Sequence, residues 1–172
     1  TDGVIYAEAR WAPQQHLTGG LSAAEAVEAV QVGLVDGMES ASLSGTTIIA
    51  RQILCLMRHL DVPEDVVDLA VNHAPGVVGV DVAGPEDGFP LAPFTNALTR
   101  VQAAGIHLTV HAGEAAGPES ILDALNHGAE RLGHGVRIIE DRDESGWGPT
   151  AQQVLSNQVP LEVCPTSNTQ TG

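Results

Sequence analysis

Two imidazoles and a carboxyl group carry the chemistry this sequence offers. His111 and Glu114 lie in I-H-L-T-V-H-A-G-E at 106–114, and His134 is the centre of G-H-G at 133–135. A neutral imidazole can ligate a metal ion, and a carboxyl group held beside it can move protons at neutral pH. Ala112 and Gly113 lack bulk, so the backbone can turn sharply and aim His111 and Glu114 at one volume. Taken singly, each would be read as a core histidine or a solvated loop glutamate, the ordinary state of such groups. The order strand, His, tight turn, Glu, helix favours chemistry, the more so because neighbouring units also end in polar side chains.

What must position these groups is an alternation of strands and helices. Residues 106–111 alternate in twos, with Leu108 and Val110 on one side and His107, Thr109 and His111 on the other. Further strands are expected within 4–10, 47–57, 77–83, 131–136 and 160–164. In the 77–83 run, Val78, Val80 and Val82 are expected on one face, with Gly79 and Asp81 on the other. Ser22-x-x-Glu25 is a capping box that opens a helix with Val27, Val30 and Leu34 on one face. Pro63 suits a first helical position ahead of Val66, Val67 and Ala70. Phe94, Ala97, Leu98 and Val101 trace the next helix, which Gly105 closes. Pro118 precedes a helix expected to bury Ile121, Leu122 and Leu125 and to end at Gly128. After an acidic loop at 140–149, Thr150-x-x-Gln153 is expected to cap a short helix.

Regular strand–helix alternation implies a parallel sheet with covered faces, either doubly wound or a (β/α)8 barrel. Two observations favour the barrel. No Gly-x-Gly-x-x-Gly and no P-loop is present. Reactive side chains instead cluster at the C-terminal ends of several strands, where barrel enzymes place them. Six strands and 172 residues fall short of the eight strands and roughly 200–250 residues of such a domain. The expected fold is therefore an α/β, TIM-type barrel that is incomplete.

Seven Lys plus Arg against 22 Asp plus Glu leave a net charge of −15. Such a surface repels phosphate backbones and anionic lipid, so neither nucleic acid nor membrane is an expected partner. No apolar run is long enough to span a bilayer, and the first residues do not resemble a signal peptide. Two distant cysteines, Cys55 and Cys164, indicate neither a disulfide framework nor a CxxC site, which suits a reducing cytoplasm.

The remaining polar groups near strand ends divide by expected role. Glu8 and Arg10 are expected to form an interior ion pair. Arg58 and His59 are either solvated or functional. Asp81, on a Val-rich strand, is costly to bury alone and needs a partner, structural or supporting. His16, His73 and His127 are expected at the surface, and Cys164 is expected to be a buried, inert thiol.

Six segments carry a family resemblance: Y-A-E-A-R-W-A-P (6–13), I-L-C-L-M-R-H (53–59), V-G-V-D-V-A-G-P-E (78–86), H-L-T-V-H-A-G-E (107–114), R-L-G-H-G (131–135) and L-E-V-C-P-T-S-N-x-x-T-G (161–172). In this order and spacing they resemble consecutive motifs of the adenosine deaminase family, zinc-dependent members of the amidohydrolase barrels. The resemblance implies a partial metal-dependent hydrolase barrel domain over 1–172. It implies that His111 ligates Zn2+ and that Glu114 protonates purine N1. His134 would orient the attacking hydroxide and stabilise the developing oxyanion. Gly84 would offer its N–H to purine N3, and Asp81 would support the site. The implied reaction is hydrolysis of a purine nucleoside, adenosine or deoxyadenosine, to inosine or deoxyinosine and ammonia. It needs Glu114 to hold its proton when substrate binds.

The family's His-x-His first strand and the Asp of its last strand have no counterpart here. One zinc ligand remains where about three are needed, so the chain is expected to be an interior fragment, inactive alone. A deaminase of adenine or another aminopurine, and a non-catalytic barrel remnant, are the alternative readings.

Overall fold

Leu54 and Leu56, Val80 and Val82, and Leu108 and Val110 recur two apart along their strands, and with Leu132 each is buried against helices on one side of a sheet. The computed structural model describes residues 3–60 and 63–171; the termini of the sequence, Thr1 and the Gly172 that ends the last motif, lie outside the described residues. Strands β1 (Tyr6–Trp11), β2 (Ile49–Met57), β3 (Val77–Ala83), β4 (His107–Ala112) and β5 (Arg131–His134) pair in parallel, each with the next. A short antiparallel hairpin, β6 (Arg142–Asp143) and β7 (Gly146–Trp147), precedes β8 (Leu161–Glu162), which adds to β5. Helices α1 (Ala23–Leu43), α2 (Pro63–Asn72), α3 (Thr95–Ala103), α4 (Pro118–Asn126) and α5 (Pro149–Ser156) fill the crossovers, and α6 (Pro165–Thr171) follows β8.

The sheet is curled. Side chains of its two edge strands meet, Arg10 of β1 touching Glu162 of β8. Flat, six strands at their usual spacing would hold those edges roughly 24 Å apart. The described residues therefore form an incomplete (β/α)8 barrel whose concave side is its interior.

Several local expectations hold. Ser22 and Glu25 form a complete capping box at the start of α1. Gly105 takes a left-handed φ of +69° just past α3. Others need correction. Gln52 pairs with Val77 but Ile53 with Gly79, so Val78 is skipped by a bulge. Val77 therefore joins Val80 and Val82 in the core, while Val78 is half-buried. Within α4 it is Ala124 that is buried with Ile121, Leu122 and Leu125 being only partly covered. Thr150 does not cap α5. Gly148 holds the N-cap position, and the Asp141 carboxylate accepts from Ala151 N–H at 2.7 Å. The strand expected over 160–164 is two residues long, and Cys164 beyond it is exposed, unlike the buried Cys55. His16 is exposed, whereas His73 and His127 are half-buried, each with Nδ1 within 2.9 Å of a carbonyl one turn back, Leu69 O and Asp123 O.

Candidate active site

The concave side carries charge where the convex side carries aliphatic groups. Arg131 meets Glu8 at 2.8 Å and Glu162 at 2.7 Å. Arg10 meets Glu162 and, through Nε, Asp81 Oδ2 at 3.1 Å, a contact of charge rather than an aligned hydrogen bond. The expected Glu8–Arg10 pair is thus replaced by cross-strand partners. Residues two apart on one strand point the same way about 7 Å apart, and neighbouring strands offer closer counterions. Burial alone would raise Glu8 and lower Arg10. Hydrogen bonds from Arg131 and Tyr6 outweigh burial for Glu8 and hold it below the usual carboxylate range, and Asp81 with Glu162 outweighs it for Arg10. Burial, with Asp81 adding to it, pushes the Cys55 thiol up to about 12, so this thiol is inert.

The network ends on His111. Its Nδ1 lies 3.0 Å from Asp81 Oδ1 and 2.9 Å from Oδ2, and Asp81 is wholly buried. Gly133 sits opposite His111 in the register, and a β-carbon there would lie 2.9 Å from His111 Nδ1. The imidazole occupies the space that glycine leaves open.

His134 ends β5 with a φ of +68°, a conformation a side chain of this size adopts at a cost of about 1–3 kcal/mol. Gly135 repeats it, and the strand stops here instead of running to Val136. The turn buries the His134 ring, whose centroid is 5.2 Å from that of His111. His134 Nε2 is 3.4 Å from Glu114 Oε2, and Nδ1 is 2.9 Å from Asn168 Nδ2. Ser167 Oγ donates to Glu114 Oε1 at 3.3 Å. His111, Glu114 and His134 thus share one volume, which α6 borders through Ser167 and Asn168. A cleft of about 570 Å3 runs alongside, lined by Glu114, Val136, Arg137 and Asn168 among others.

Gly84 follows β3 at φ +93°, and a β-carbon on it would lie 3.0 Å from His59 Nδ1 and 3.3 Å from Arg58 N. Beside Gly84, Arg58 reaches across to β4: it is 6% exposed, and it donates to Phe89 O at 2.6 Å and to His111 O at 2.7 Å. Of the Arg58–His59 pair, the arginine is therefore structural and buried while His59 is exposed. Glu86 is the residue that sequence reasoning passed over. It is buried and accepts from the backbone N–H groups of Gly113, Glu114, Ala115 and Ala116. Its place at the end of V-G-V-D-V-A-G-P-E was visible; its partners, 27 to 30 residues on, were not.

Among the described residues, no three His, Cys, Asp or Glu side chains are grouped so as to hold a metal ion. His111 nevertheless has the form of a single ligand. Its Nδ1 is engaged by a buried carboxylate, an arrangement common in metal-bound histidines, in which the other ring nitrogen, here Nε2, would be the one to coordinate. The donor set fits one corner of a metal site.

The family model described as adenosine deaminase matches residues 1–172. The chain is 43% identical to an adenosine deaminase of Mycolicibacterium gilvum over 99% of its length and 49% of the relative's. It is 45% identical to adenosine deaminase 1 of Streptomyces coelicolor, covering 99% of the chain and 45% of that protein. The chain thus spans about half the length of the curated relatives it matches. Among solved structures, an adenine deaminase from Arthrobacter aurescens and an N6-mAMP deaminase of Arabidopsis each superpose with a TM-score of 0.81 at 28% identity, over 98% of this chain and 49% of theirs. A Burkholderia ambifaria amidohydrolase with bound Zn superposes at 0.79 and 26% identity, over 95% of this chain and 43% of that one.

Proposed function

The chain belongs to the adenosine deaminase family, and on that footing we propose that the protein containing it removes the 6-amino group of adenosine or deoxyadenosine by hydrolysis, giving the inosine product and ammonia. The observation that carries the reading is the convergence of two imidazoles and a carboxyl group, with His134 Nε2 3.4 Å from Glu114 Oε2 and the rings of His134 and His111 5.2 Å apart. Identity of 43–45% to curated adenosine deaminases favours the nucleoside over adenine or N6-mAMP, whose deaminases are 28% identical.

In this reading His111 would be one of the ligands of a single Zn2+ per site. Bound there, the ion would supply Lewis acidity and make hydroxide accessible at neutral pH. Glu114 donates a proton to purine N1, which makes C6 electrophilic, and the Ser167 hydroxyl and His134 hold the carboxyl group in place. With Asn168 Nδ2 as the donor to His134 Nδ1, the ring proton would sit on Nε2. His134 then acts as a donor toward negative charge developing on the attacking oxygen. Asp81 fixes the orientation of His111, and Gly84 offers its N–H to N3. Among the described residues no helix is long and apolar enough to cross a membrane, and two free thiols suit a reducing cytoplasm.

The test is incubation of the purified, full-length, zinc-loaded protein with adenosine, adenine and N6-methyl-AMP in parallel, following ammonia release and ultraviolet absorbance. Turnover of adenosine at the highest kcat/KM is expected. Preference for adenine or the nucleotide would replace this substrate assignment, and no turnover of any of the three would leave the barrel as a non-catalytic remnant.

A further inference from the structure

We propose that Glu86 is a positioning residue whose buried carboxylate gathers the turn after β4 and thereby sets where Glu114 stands. The consequence for rate rests on the deaminase reading above; the hold on the turn rests on geometry alone. Glu86 comes from the loop after β3 and is 7% exposed. Oε1 accepts from Gly113 N–H at 2.5 Å, and Oε2 accepts from Glu114, Ala115 and Ala116 at 3.0, 2.7 and 3.1 Å. Successive N–H groups converging in this way form a concave anion-binding nest, here filled from within the chain. Gly113, at φ +72°, makes the nest possible, because a β-carbon on it would lie 2.6 Å from Ile121 Cδ1.

Burial by itself would raise the Glu86 carboxyl, but hydrogen bonds from the Ser120 side chain and from the turn outweigh it and hold the group below the usual range. Glu86 is therefore an anion at neutral pH, which is what four convergent donors require. Arg58 completes the hold by bridging Phe89 O, in the loop that carries Glu86, to His111 O at the end of β4. Asp87, Glu119 and Asp123 border the same hollow as Glu86 and Arg58, but the turn's N–H groups go to Glu86. One of those four donors is the N–H of Glu114 itself. A displaced Glu86 therefore displaces the Cα from which the proton donor hangs, and a misplacement of about 1 Å can cost about 10²-fold in rate.

The test compares Glu86→Gln and Glu86→Ala with the parent in the full-length, zinc-loaded protein, by steady-state kinetics, zinc content and amide hydrogen exchange at 113–116. Both variants should lose about 10²-fold in kcat with KM within about threefold, keep their zinc, and exchange faster at 113–116. In Glu86→Ala, added formate or acetate should restore part of kcat and of the exchange protection by entering the vacated nest, which a residue needed only for folding would not allow. If Glu86→Ala is insoluble, Glu86→Asp keeps the charge with a shorter reach, and the same split between kcat and KM is expected of it. Unchanged kcat in Glu86→Gln, a loss that tracks zinc release, or failure of every variant to fold overturns the proposal. Absence of deaminase activity in the parent would instead remove the reaction, while exchange at 113–116 would still decide whether Glu86 holds the turn.

Discussion

Asp81 and His111 stand on neighbouring parallel strands, and the wholly buried carboxylate of one meets Nδ1 of the other at 2.9 to 3.0 Å. A carboxylate with no exposure is tolerated only with partners, and here these are one imidazole and the Arg10 guanidinium. The contact does two things at once. It gives the buried carboxylate a partner, and in the proposed role it leaves Nε2 as the ring nitrogen that would bind zinc.

Asp81→Asn keeps the shape of the side chain and removes its charge. In the full-length protein the zinc affinity should fall by about 10- to 100-fold, as read by competition with a chelator. Unchanged affinity would mean that the contact is structural only.

Substitutions within the site should separate metal from rate. Glu114→Gln should keep zinc and lose at least about 10²–10⁴-fold in turnover, because the amide preserves shape without a transferable proton. His111→Ala should lose zinc and activity together. His134→Ala should keep zinc and lower kcat more than it raises KM, as expected of a group serving charge that develops in the transition state. Zinc content measured beside rate decides the assignment, which fails if Glu114→Gln loses the metal.

Gly133→Ala places a methyl group 2.9 Å from His111 Nδ1 and 3.0 Å from Cγ. Overpacking of this kind costs about 1–3 kcal/mol, and relief requires the imidazole to move away from Asp81. A lower melting temperature together with reduced zinc content is expected. A variant that melts like the parent and holds its full zinc would show that the ring has room to spare.

Acid should weaken the fold through Glu8 and Glu86, both held below their ordinary value of 4.5. A carboxyl whose folded pKa is depressed binds fewer protons folded than unfolded. Its stabilising contribution is therefore complete above its unfolded pKa and is lost as pH falls through the lower folded one. Denaturant melts at successive pH values below about 5 should show stability falling with acid, with a shallower fall in Glu8→Gln. An equal slope in parent and variant would remove Glu8 from the account.

The alternation of apolar and polar residues is a local property, and what depends on it was readable in the sequence. The strands, most helix starts, the capping box of Ser22 and Glu25, and the choice of a barrel over a doubly wound sheet are of this kind. So was the identity of the candidate groups, since His111 and Glu114 are joined by a short turn. The bulge at Val78 was not readable, because it is set by pairing with β2 and leaves the valine run unchanged. Nor were the partners of Glu8, Arg10 and Arg131, which lie tens of residues to more than a hundred apart and meet because the sheet curls. Arg58 and Glu86 look in sequence like solvated loop charges, yet both are buried against the turn that bears Glu114. Residue type and period determined which groups could act and which strands would carry them. Register and curvature decided which charges neutralise one another, because a salt bridge depends on distance in space and the sequence records only distance along the chain.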